Sequence, residues 1–266
     1  MAKKSNYKDK LAIVTISGDG TIAGNRMTSE TSNYLSQNGH AVYAMHLAGK
    51  DANLAQTIRD NSVYANVVDK SSLRYNPLNQ GAVISGTLMA GLRTCISNAL
   101  ADGAERVLYM EGDKNNFVGS IDRMVLPLLV GKADVTLAKR SDFGWKQFPL
   151  AQRIVEGAAN RYLASQSGLP ADTDFLYGPK GFTAAAVDNF NECAGNDWAT
   201  ITAPVVAAAL KGERVVSVDV VGDPQDEYLK KYPFVLRPFP GQLAWRTLQC
   251  LPLVKATRQL KARLSP

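Results

Sequence analysis

The stretch Val107-Leu108-Tyr109-Met110-Glu111-Gly112-Asp113 constrains this chain most. An apolar run of buried-strand type ends in two carboxylates separated by a glycine. In extended backbone, residues two apart point to the same side, so Glu111 and Asp113 can face one point in space. Ligands of open α/β sheets gather at the carboxyl ends of strands, where this pair would sit. Two hard oxygen anions there suit Mg2+ or Mn2+, ions that keep positions open for substrate phosphates. An acidic strand-to-loop turn bent at Gly112 accounts for the same residues.

The rest of the chain alternates strand and helix patterns. Residues 11–16 read as a buried strand, followed by a glycine-rich loop from Ser17 to Gly24. A helix over Thr28 to Asn38 is closed by Gly39, and a second strand covers Ala41 to Met45. A short helix over Asp51 to Asn61 leads to a third strand at Val63 to Val68. Ile84, Leu88, Leu92, Ile96 and Leu100 recur every four positions, one face of an amphipathic helix ending at Gly103. After the acidic strand come a helix through Met124–Leu129 and a strand at Val135–Ala138. This alternation predicts an α/β fold with a mainly parallel central sheet and helices on both faces. With 266 residues the core can be substantial. The organisation expected is a main domain over residues 1–233. A piece over 234–266, an extended segment and then a helix, packs on that domain or on a partner subunit of a homodimer.

Composition excludes several classes. Three scattered cysteines, Cys95, Cys193 and Cys250, give neither a disulfide framework nor a zinc site and fit a reducing compartment. The first ten residues are polar and basic, unlike a signal peptide. No stretch approaches the ~18 apolar residues of a membrane span, so a cytoplasmic protein is expected. The net charge of +6 is concentrated late: no acidic residue follows Glu227, while Lys230, Lys231, Arg237, Arg246, Lys255, Arg258, Lys261 and Arg263 do. Such a tail fits an anionic substrate, an anionic lipid surface or nucleic acid. Aromatic–basic interleaving is thin, so no nucleic-acid partner is expected. Leucines mixed with Arg246, Lys255 and Arg258 also fit peripheral contact with the inner face of a membrane. Pro252 should interrupt that helix, which favours packing instead.

Gly18-Asp19-Gly20 with Gly24 misses the G-x-G-x-x-G spacing, and no P-loop occurs. His40 reads as an exposed turn residue, and His46 ends the second strand, near where a ligand could lie. No nucleophile elbow or local Cys–His signature supports triad hydrolysis.

With the acid pair on a fourth strand, the order of pieces resembles the GT-A fold glycosyltransferases. The likeness is to the polyprenyl-phosphate mannosyltransferases and the mannosyl- and glucosyl-glycerate synthases. Gly91-Leu92-Arg93 through Asp102-Gly103-Ala104 and on to Glu111 and Asp113 is similar to their helix, Gly-Ala turn and Asp-x-Asp strand. Ala138-Lys139-Arg140 resembles their Gly-Ser-Arg strand end, and the helix with Arg153, Asn160 and Arg161 their Arg- and Asn-rich segment. Asp174 to Phe182 resembles their Asp-Thr-Gln-Ser-Gly-Pro-Arg-Ala-Phe, with Lys180 for the arginine. Asn196-Asp197-Trp198 resembles the Ser-Asp-Trp element of the glycerate synthases. The matches span residues 11–220 in the right order.

What the resemblance implies is transfer of a sugar from a nucleotide-sugar donor to an anionic acceptor, a lipid phosphate or a small acid such as a glycerate. It implies Mg2+ or Mn2+ on Glu111 and Asp113, with Ser17 and Asp19 in the loop that frames the nucleotide. Arg140, Arg153, Arg161, Lys180 and Trp198 would bind substrate. Asp174 or Asp197 would take the acceptor proton. Asp223 or Asp226 could stand in for the late histidine ligand of the soluble synthases. A sugar-phosphate nucleotidyltransferase, or a non-catalytic protein of the same fold binding a nucleotide or sugar, are the alternatives.

Overall fold

The computed structural model describes residues 10–17, 22–48, 52–69, 72–73, 80–193, 195, 197, 199–220 and 239–264. Among them, seven strands form one sheet: β1 (Leu11–Ser17), β2 (Ala41–Ala48), β3 (Tyr64–Asp69), β4 (Arg106–Glu111), β5 (Val135–Arg140), β6 (Lys180–Thr183) and β7 (Val215–Val220). The helices are α1 (Ile22–Gln37), α2 (Ala52–Asp60), α3 (Gln80–Ala101), α4 (Ile121–Leu129), α5 (Asp142–Gln147), α6 (Leu150–Ser167), α7 (Ala199–Leu210) and α8 (Phe239–Leu264). The strand order is β3-β2-β1-β4-β6-β5-β7, with β6 antiparallel to both neighbours and the other pairs parallel. The mainly parallel α/β plan is the one the alternation predicted. At four residues, β6 is too short to show a period.

The period of two along β1 divides the core into two layers. Ala12, Val14 and Ile16 pack with Met89 and Leu92 of α3 and Val205 of α7. Leu11 and Ile13 face the other way, onto Leu35 of α1, Ile58 of α2 and Met124 of α4. Helix α3 lies close to the sheet because Gly91 has no side chain; a Cβ there would strike the Met45 side chain.

Four expectations need correction. Helix α1 starts at Ile22, so Gly24 is helical and the glycine-rich loop is shorter than its composition implied. His40 is buried, not exposed, and its N–H closes the end of α1 onto Leu35 O at 3.0 Å. Phe239–Gly241 are helical rather than extended, and the rest of the expected extended segment lies outside the described residues. Pro252 sits inside α8 without ending it. A proline removes the bond to the carbonyl four residues back, here that of Leu248. Leu248 is 63% exposed, so water reaches that turn.

Helix α8 lies across α6 and α7. Leu253, Thr257 and Leu260 face inward, one turn apart, while Arg258 donates to Tyr162 Oη and Arg263 pairs with Glu192. No helix among the described residues is long and apolar enough to cross a membrane.

Candidate active site

Strands β1 to β3 run to one side of the sheet and β4 starts on the other side of β1, so a crevice opens between the carboxyl ends of β1 and β4. Glu111 is paired with Ile16 across that boundary. The next residue, Gly112, donates its N–H to Ile16 O at 2.8 Å. A Cβ on Gly112 would come within 3.0 Å of Thr28 Cγ2 and 3.2 Å of Ser17 Cβ. Glycine therefore lets the acidic turn close onto the end of β1. Ser17 lies in the same place, its Oγ 2.6 Å from His46 Nδ1. Asp19, the other expected nucleotide residue, lies outside the described residues, as do Asp223 and Asp226.

Asp113 is buried in the turn, whereas Glu111 is half-buried and lines a cavity of about 220 Å3. The Glu111 carboxylate rests against the α-carbon of Gly178, where any Cβ would collide with it. Its Oε2 is buried and has no hydrogen-bond partner among the described residues. A buried carboxylate oxygen left unsatisfied, two residues from a second buried carboxylate, is a donor set that a hard divalent cation fits. No group of three or more His, Cys, Asp and Glu side chains able to hold a metal occurs among the described residues, so water and ligand oxygens would fill the other positions.

Facing Glu111 across Gly178 is Lys180, at the start of β6 and 1% exposed. Its Nζ donates to the carbonyls of Tyr177 (3.0 Å) and Gly178 (3.1 Å). Burial pushes the ammonium down to about 8, against the pull of the Glu111 and Asp174 carboxylates. A buried cation solvated only by carbonyls attracts an anion strongly.

At the end of β5, Arg140 is held far more completely. Its Nε and Nη2 grip Asp174 Oδ2 and Oδ1 at 2.6 and 2.7 Å, and its Nη1 donates to Glu156 Oε2 at 2.9 Å. The rings of Trp145, Phe148 and Tyr177 lie 4.2, 4.9 and 5.5 Å from the guanidinium carbon. Burial pulls the guanidinium down, but Asp174 and Glu156 more than offset it and hold it above its ordinary value. Asp174 is correspondingly depressed: burial raises it, and Arg140 lowers it further than that. Asp174 also accepts from Asn160 Nδ2 at 3.0 Å, while Asn160 Oδ1 takes the Phe175 N–H. A carboxylate engaged in three such bonds is an ion-pair partner, not a free base.

The remaining expected residues lie elsewhere. Asp197 accepts from Ala199 N at 2.8 Å as the cap of α7 and lines a separate groove against α8. Arg153 is half-buried and Arg161 exposed, and neither lines the cavity of Glu111. Trp198 lies outside the described residues. Sequence reasoning passed over Gln152, Glu156 and Arg246, which line the cavity. The signal was there: Gln152, Glu156 and Asn160 recur every four positions on α6 and are all buried. The motif match drew attention to Arg153 and Arg161 on the neighbouring stripe.

These features define the class by fold: a GT-A-type sheet whose acid pair closes the fourth strand at the switch point. Solved structures that share this fold include glucosyl- and mannosyl-3-phosphoglycerate synthases. Glucosyl-3-phosphoglycerate synthase from Mycobacterium tuberculosis in complex with UDP aligns at 12% identity and TM-score 0.55, covering 97% of this chain and 81% of that one. The same enzyme in complex with Mn2+, UDP-glucose and phosphoglyceric acid aligns at 12% identity and TM-score 0.53, covering 94% and 80%. Mannosyl-3-phosphoglycerate synthase from Rubrobacter xylanophilus aligns at 11% identity and TM-score 0.53, covering 96% and 74%. At such identities the likeness is one of fold. No protein-family model matches the chain, and no curated protein matches it by sequence.

Proposed function

We propose that this chain is a nucleotide-sugar glycosyltransferase with an anionic acceptor. The observation that carries this reading is the Glu111–Asp113 pair at the β1/β4 crevice, with a buried Glu111 oxygen that has no partner among the described residues and lies against Gly178, whose carbonyl accepts from the Lys180 ammonium. The shared fold supports it, since solved structures of this fold hold UDP, or Mn2+ with UDP-glucose and phosphoglyceric acid.

In this reading Glu111 and Asp113 hold Mg2+ or Mn2+. Such an ion would supply positive charge beside a diphosphate leaving group. Ser17, fixed by His46, lines the nucleotide side of the crevice. Lys180 supplies a second positive charge inside the cavity. Arg140 is a positioning residue, because its pairs with Asp174 and Glu156 tie the end of β5 to α6 and to the loop before β6. An anionic acceptor fits because the cavity gathers Lys114, Lys180, Arg140 and Arg246 against only Glu111 and Glu156. Asp197 keeps a role in proton removal only if the acceptor reaches the groove it lines; a phosphate acceptor, already ionised, needs no base. Residues 239–264 belong to the same unit as the cavity, since α8 supplies part of its wall.

The test is a transfer assay of UDP- and GDP-sugars against neutral and anionic acceptors, with Mn2+ and with chelator. Metal-dependent transfer to an anionic acceptor is expected. Preference for a neutral acceptor would overturn the acceptor assignment. One observation favours a second reading, nucleotide or sugar binding without transfer: no third metal-ligating side chain joins the pair among the described residues. That reading requires Mn2+-dependent nucleotide binding with no turnover on any acceptor.

A further inference from the structure

Helix α8 does more than cover the sheet. Arg246, on its second turn, reaches the cavity that holds Lys180 and Arg140. Its Nη2 donates to Gln152 Oε1 at 2.7 Å, and its Nη1 to Glu156 Oε1 and Gln249 Oε1, both at 3.2 Å. Gln152 and Glu156 stand one turn apart on α6, so two rigid elements fix where the guanidinium points. The side chain is 13% exposed, so little water competes for it. One and two turns further along α8, Cys250 and Leu253 continue the wall, opposite Ile201 of α7. This apolar surround strengthens any charge pairing made inside.

Glu156 joins the two arginines. Its Oε2 takes Arg140 and its Oε1 takes Arg246. Arg140 is stacked by aromatic rings and chelated by Asp174, and is fixed as the fold forms. Arg246 has the planar fork suited to a carboxylate or phosphate, and it is borne by a helix that docks from the end of the chain.

We infer that Arg246 is a specificity-determining residue that binds the acceptor's acidic group directly, with Gln152 and Glu156 as its positioning residues. The acceptor pocket is therefore complete only when α8 is docked. This rests on reading the cavity as an acceptor site, and two independent readouts separate the two ideas. Inorganic phosphate binding to the full chain tests Arg246; UDP or GDP binding with Mn2+ tests the donor reading.

Arg246→Gln should weaken phosphate about tenfold and raise the acceptor KM by a similar factor, with nucleotide affinity and kcat within about twofold. Arg246→Lys, which keeps the charge and loses the fork, should recover part of that loss. Gln152→Ala should give about threefold weaker phosphate binding through misaim alone. Unchanged phosphate affinity in folded Arg246→Gln overturns the inference. If that variant melts far below the parent, Arg246→Lys and Gln152→Ala decide: phosphate affinity equal to the parent in both also overturns it. Nucleotide that fails to bind the unaltered chain counts against the donor reading and leaves the phosphate result standing.

Discussion

The carboxylate that ends β4 and the guanidinium that ends β5 line one cavity under opposite conditions. Glu111 keeps a buried oxygen with no partner among the described residues, while Arg140 has two carboxylates on its N–H groups and three rings around it. On the proposed function a bound cation would complete the first arrangement; the second is complete when the chain folds. Changes at the β5 end should therefore show in stability, and changes at the β4 end in binding.

The largest effect belongs to the β5 end. Arg140→Met leaves Asp174 and Glu156 buried with lost partners, and breaking a buried pair from one side costs about 3–5 kcal/mol. Urea unfolding should show that loss, with Arg246 left as the remaining partner of Glu156. An Arg140→Met chain as stable as its parent would erase the contrast between the two ends. Next comes Asp113→Ala. Here the melting temperature without ligand should stay close to the parent's, while Mn2+-dependent nucleotide affinity falls about a hundredfold, equivalent to ~2.7 kcal/mol. Calorimetric titration with UDP and GDP checks it. Equal affinity with and without Asp113 would remove the pair from the metal site.

The same contrast explains how much of the molecule the sequence made legible. The acid pair and the strand before it could be read because burial on both faces leaves an unbroken apolar run, and a carboxylate two residues on is conspicuous. Helix α3 was readable through its period of four, and Gly39 and Gly103 close their helices at φ of 72° and 89°. The β5 cluster was not readable as a unit. Arg140, Asp174, Glu156 and Arg246 are joined by long-range ion pairs that leave no spacing in the chain. A single acidic residue on a helix, such as Glu156, looks like solvated surface until its partners arrive. Asp174 looked like a base for the same reason, since only the fold shows its oxygens taken by Arg140. In the tail the effect of Pro252 was misjudged, since the helix runs through it where its turn faces water.

A subtler change probes the β4 end without touching either acid. Gly178→Ala places a methyl where the Glu111 carboxylate lies. The far end of a flexible side chain can swing away, so the stability cost should stay within about 1 kcal/mol. With the carboxylate displaced from its place in the cavity, Mn2+-dependent nucleotide affinity should fall about tenfold, ~1.4 kcal/mol. Binding that survives intact would mean Glu111 is not a ligand, and the site would rest on Asp113 alone.

The smallest effect is a change of slope with pH at the β5 end. Arg140 depresses Asp174 below its value in the unfolded chain, about 3.9. The native state then binds fewer protons than the unfolded state through this range. Asp174's stabilisation is accordingly complete above about pH 4 and is lost as pH falls through its folded value. Asp174→Asn cannot titrate there, so its deficit relative to the parent should be largest at pH 6 and narrow steadily toward pH 3. One proton limits the narrowing to about 1.4 kcal/mol per pH unit, and Glu156, still paired to Arg140, keeps the remainder. Urea midpoints for both chains at several pH values read the gap directly. A gap that stays constant from pH 6 to pH 3 would mean that the Asp174 charge contributes nothing to the fold, and the β5 end would then be as incomplete as the β4 end.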